Sequence, residues 1–101
     1  MIAISARITL APEFTAAFGQ AAAAIIAPTR EESGCNYYVF GRDIEDANVI
    51  LISEEWASEE ALLDHLKSAH ITDFLKKTQA MKMLGLEVKK YRVSSVGGMD
   101  S

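Results

Sequence analysis

The chain has 101 residues, 50% of them hydrophobic, which suits one globular domain with a modest core and excludes a disordered polymer. A formal net charge of −4 excludes a nucleic-acid surface, and the pairs Lys76-Lys77 and Lys89-Lys90 are too small to make a basic face. One cysteine, Cys35, excludes an internal disulfide and a cysteine-rich zinc site, and no apolar run approaches the roughly 20 residues that span a bilayer.

Ile2 to Leu10 alternates, with Ile2, Ile4, Ala6, Ile8 and Leu10 on one side, and predicts a first strand. No basic leader precedes it, so a cytoplasmic location is expected. Ala11-Pro12-Glu13 opens a helix whose buried stripe is Phe14, Phe18, Ala21, Ala22 and Ile25. Pro28 is expected to kink or shorten that helix, and Gly34 to close the segment. Cys35 to Arg42, rich in Tyr and Val, predicts a second strand, with Cys35 read as a small buried hydrophobe.

The polar run Asp43 to Asn48 predicts a hairpin turn into a third strand, Val49 to Trp56. Ser58 and Ser68 are both good N-caps, so the second helical region breaks near Lys67–Ala69. It is expected to resume through Met83 and end at Gly85, followed by a last strand from Leu86 to Val96. The domain is thus expected over 1–96, with residues 97–101 a flexible tail.

The order β-α-β-β-α-β predicts an α+β ferredoxin-like sandwich, an antiparallel sheet with helices on one face. Strands two and three are apolar on both sides, for example Val49 and Leu51 against Ile50 and Ile52. Two helices cover one face only, so a second copy of the chain is the expected cover for the other.

Gly34-Cys35-x-x-Tyr38, Glu54-Glu55-Trp56, Ser58-x-Glu60-Ala61-Leu62, His65-Leu66 and His70 together resemble the antibiotic biosynthesis monooxygenase family. The resemblance implies a dimeric α+β barrel. It also implies one of several activities: cofactor-free oxygenation of anthrones, naphthols or quinols, haem degradation, or isomerisation of small phosphorylated sugars. The polyketide-tailoring oxygenases of the family pair the strand tryptophan with an asparagine four residues earlier, where this chain has Ile52. That departure keeps a non-catalytic ligand-binding module open as an alternative. An isomerase would need a cationic anchor, for which Arg7, Arg42 and Arg92 are available.

His65 shares the apolar stripe of Ala61 and Leu62 and reads either as a packed residue or as a base facing a pocket. Trp56 reads either as a core anchor or as a donor to a substrate oxygen. The oxygenase reading makes His65 and Trp56 catalytic, with Asn36, Tyr38, Glu54, His70 and Phe74 contacting a small aromatic substrate. It needs no cofactor and no metal, because an electron-rich phenol can itself reduce dioxygen. His70 lies about 140° round an ideal helix from His65, which is not the spacing of a helical metal pair. A two-histidine, one-carboxylate site would have to draw on Glu54 or Glu55. One of those two glutamates is expected to meet an arginine such as Arg7 or Arg92.

Overall fold

A computed structural model describes residues 1–101. The elements are β1 (Ile2–Leu10), a 3-10 turn (Pro12–Phe14), α1 (Thr15–Arg30), β2 (Cys35–Arg42), β3 (Val49–Trp56), α2 (Glu59–Leu66), α3 (Ala69–Thr78) and β4 (Met83–Arg92). They form the expected α+β ferredoxin-like fold, with the second helix in two pieces. The four strands are antiparallel in the order β2-β3-β1-β4.

Register carries the period-2 pattern of β1 across the sheet. Ile2, Ile4, Ala6 and Ile8 stand beside Trp56, Glu54, Ile52 and Ile50, and Tyr38 stands beside Glu54. This face meets Phe18, Ala21, Ala22 and Ile25 of α1. The core divides into a cluster around Trp56 with Ile2, Ile25, Tyr38, Leu62 and Ile71, and one around Phe18 with Ile8, Leu10, Ala22 and Ile50. Phe74 packs against both, edge-on to Phe18 at 5.6 Å between ring centres.

Five features differ from the expectations. Pro28 does not stop α1, which runs on to Arg30; its missing N–H removes the one bond to the Ala24 carbonyl, and the helix ends two residues later. Phe14 belongs to the preceding 3-10 turn and is only half-buried. The third helix ends at Thr78, whose hydroxyl donates to the Phe74 carbonyl at 2.9 Å. Gly85 is not a helix stop. It lies inside β4 opposite Thr9, next to a register shift at Leu10, the other setting in which glycine is common. The last strand closes at Arg92, and the Val93 N–H donates to the Met1 carbonyl.

β4 is exposed along its whole length. Leu86 and Val88 lie on the helix side, paired with Ile8 and Ala6, yet are 59% and 57% exposed because no helix packs over them. Helix α2 meets only the far end of the strand, where Glu59 pairs with Lys90 and Arg92.

Candidate active site

The site is built where α2 gives way to α3. Ser58 caps α2 by accepting from the Ala61 N–H, and Ser68 caps α3 by accepting from the Ile71 N–H. Within the eight residues of α2, Leu62 and His65 are one turn apart and both face inward. The break at Lys67-Ser68 then returns His70 to the same side. The Ser68 hydroxyl donates to the His65 carbonyl at 2.7 Å and lies 3.3 Å from His70 Nε2.

Both histidines converge on Glu32, in the turn between α1 and β2. A single oxygen, Oε2, lies 2.7 Å from His65 Nδ1 and 2.9 Å from His70 Nε2. A carboxylate can only accept, so each ring donates its N–H there. Gly34 makes this approach possible. Its carbonyl accepts from the Ala57 N–H at 2.8 Å, and a Cβ added to it would overlap the Ala61 side chain. The loop therefore lies directly on α2.

The other side of His65 is aromatic. Trp56 lies against the imidazole at 4.4 Å between ring centres, tilted by 34°, and Tyr38 meets it edge-on at 5.4 Å. Trp56 is fully buried and His65 only 3% exposed. The indole N–H donates to Glu54 Oε1 at 2.9 Å. Burial raises the Glu54 carboxyl, offset in part by that hydrogen bond and by the neighbouring His65. Burial, reinforced by the negative charge of Glu54, also holds the Tyr38 hydroxyl well above the phenol range. Cys35 packs against the same cluster, and burial pushes its thiol up, away from a reactive thiolate.

Most of the site residues read from the sequence thus come together: Tyr38, Glu54, Trp56, His65 and His70, with Phe74 packed on the cluster's edge. Asn36 does not join them. It occupies the β-bulge between Cys35 and Tyr37, is exposed, and lines a cavity of about 240 Å³ that Arg30 and Tyr37 share and that Tyr38 and Cys35 border from the cluster. Neither Glu54 nor Glu55 meets an arginine, since Arg7 pairs with Asp43 at 3.0 Å and Arg92 with Glu59. The buried centre of the cluster is closed: apart from Tyr38 at the Asn36 cavity, none of the five main cavities touches Trp56, Glu54, His65, His70 or Phe74.

The set able to hold a cation is Glu32, His65 and His70, whose ligand atoms lie within 4.8 Å of one another. The carboxylate is therefore neither Glu54 nor Glu55. Glu32 carries no local signal in the sequence, being the second of two glutamates after a helix and 33 and 38 residues from its partners.

Across known proteins, the profile of the antibiotic biosynthesis monooxygenase family matches residues 1–77. The chain belongs to that family. It is 27% identical over 94 residues to YcnE of Bacillus subtilis, whose name carries a provisional monooxygenase assignment, covering 93% of this chain and 99% of that one. An uncharacterised Synechocystis protein is 27% identical over 93 residues, and the chain, 92% covered, spans 63% of that protein's length. Among solved structures, a Pseudomonas aeruginosa protein matches at TM-score 0.82 and 28% identity over 92% of this chain and 94% of its own. A Deinococcus radiodurans family member matches at TM-score 0.88 and 22% identity over 98% of each chain, a likeness of fold. No helix of this family member is long and apolar enough to cross a membrane.

Proposed function

We propose that the protein is a monooxygenase that oxidises a small electron-rich aromatic, such as a phenol, quinol or anthrone, with dioxygen and no cofactor, using His65 as general base. The observation that carries this reading is the Glu32–His65 hydrogen bond. By accepting the Nδ1–H, Glu32 selects the tautomer whose Nε2 holds a lone pair, on the ring edge turned away from Glu32. Trp56 and Tyr38 border that ring and give the surroundings a flat aromatic ligand would need. Deprotonation raises the substrate's electron density so that it can reduce dioxygen. One oxygen atom enters the substrate and the other leaves as water, the substrate supplying every electron. Entry requires side chains at the cluster's edge to move, Phe74 foremost, because the cluster is closed as it stands.

Dioxygen uptake over a panel of quinols and anthrones tests this. His65→Ala should lower the rate by about 10²–10⁴, the usual worth of a general base, while the domain stays folded. An unchanged rate in folded His65→Ala removes the base, and loss of uptake with chelator replaces the mechanism by a metal-dependent one. Ile52, standing where the tailoring oxygenases carry an amide, favours a second reading: a ligand-binding module that kept the fold without the chemistry. No uptake across the panel, with tight binding of an aromatic ligand, would select it.

The same reading takes the working unit to be a homodimer. Leu84, Leu86 and Val88 on one side of β4, and Tyr37, Leu51 and Tyr91 on the open sheet face, leave apolar surface that a second copy would cover.

A further inference from the structure

We propose that Glu32, His65 and His70 form a binding site for a divalent transition metal, of the zinc, cobalt or iron(II) class. The donor set is two imidazole nitrogens and one carboxylate, which suits those ions better than calcium or magnesium. The spacings suit them too. Ligands at 2.0–2.2 Å from one ion stand about 3 Å apart at right angles and about 3.4 Å apart in a tetrahedral set. The two nitrogens already lie 2.7 and 2.9 Å from Glu32 Oε2. All three ligand atoms fall within 4.8 Å, so a modest turn of the His70 ring would bring the two nitrogens onto one ion.

Access and charge also fit. The side chains of Glu32 and His70 are 20% and 22% exposed while His65 is 3%, so the set is anchored on the inside and open to water on the outside. Water or a ligand could complete the coordination from that side. Next to Glu32 lies a cavity of about 270 Å³ that Glu60 and Asp64 also line, an anionic approach that concentrates cations.

Binding exchanges two hydrogen bonds for two metal–nitrogen bonds. Each neutral ring moves its proton to its other nitrogen, His65 from Nδ1 to Nε2 and His70 from Nε2 to Nδ1, so no net proton is released. His65 Nε2, the lone pair assigned above to base catalysis, then becomes an N–H. The metal would therefore switch the oxidation off. This consequence rests on the reading of His65 as base, whereas the binding site does not.

The test uses the full chain stripped by chelator. Titration with Co²⁺ should give a visible ligand-field band saturating at one ion per chain, and Zn²⁺ should displace it. In wild-type protein, bound Co²⁺ should shift the N–H signals of two histidine rings, a readout that needs no variant. Glu32→Gln and His70→Ala should each weaken binding by about 10-fold or more, since even outer-shell partners of a metal cost 10–100-fold. Cys35→Ser should leave it unaltered. Absence of the band, no paramagnetically shifted histidine, binding that survives both ligand variants, or binding lost in Cys35→Ser overturns the site. Zn²⁺ that binds here yet leaves dioxygen uptake unchanged overturns the reading of His65 as base and leaves the site standing.

Discussion

Gly34→Ala should both destabilise the fold and pull the site apart, and its cause can be isolated with a second substitution. A Cβ at residue 34 would sit within 3.0 Å of the Ala61 Cβ, closer than real side chains come. Carbon atoms rest at about 3.5–4.0 Å, so the loop must lift from α2 by about 1 Å or more. Overpacking of this kind costs about 1–3 kcal/mol. In a domain of this size each kcal/mol lowers Tm by roughly 4–8 °C. Glu32 is two residues away, and an equal opening along its 2.7 Å bond to His65 would carry it past the limit of a good hydrogen bond, about 3.2 Å. Ala61→Gly removes the obstructing methyl, after which the next atom is the Ala61 Cα at 3.5 Å, an ordinary contact. By itself Ala61→Gly costs about 1 kcal/mol of helix propensity. The double variant should nonetheless be more stable than Gly34→Ala alone. Urea unfolding followed by Trp56 fluorescence and far-ultraviolet circular dichroism measures the four corners of the cycle. Strictly additive costs, or a Gly34→Ala protein as stable as the parent, would refute the steric account.

Burial holds the Glu54 carboxyl above its ordinary 4.5, so the folded state binds that proton more tightly than the unfolded state does. Its contribution to stability is full below the ordinary value and is lost as pH rises through the raised one. Glu54→Gln keeps an acceptor for the Trp56 N–H and should flatten that part of the urea midpoint against pH, and parallel curves would refute it. Asp43 and Glu59, both held low by hydrogen bonds and cationic partners, act with the opposite sign at lower pH and cancel in the comparison. Sedimentation should show a dimer at micromolar concentration, and Leu86→Lys with Val88→Lys, exposed in the isolated chain, should weaken it without unfolding the domain. A stable wild-type monomer would remove the dimer.

Features that near neighbours encode are legible in the sequence. Alternation along Ile2–Leu10 sets a strand and its inward face, and the same period of two puts Glu54 and Trp56 on one side of β3. Ser58 and Ser68 announce two helices where one continuous pattern could have been read, and both caps form. His65 on the Leu62 stripe follows from helical spacing. Where one residue type serves two local structures, sequence was ambiguous: Gly85 reads as a helix stop but lies in β4 beside a register shift. Asn36 reads as a pocket amide, yet the bulge at Cys35/Tyr37 takes it out of the aromatic cluster. The conjunction of Glu32 with His65 and His70 has no local signal and comes from long-range packing. It depends on one loop reaching a helix break some 33 residues away, and on the missing side chain at Gly34 that lets it lie there. The bare helix side of β4 is likewise a matter of where α2 and α3 come to rest, since Leu86 and Val88 pair with the buried Ile8 and Ala6 and yet are surface because no helix reaches them.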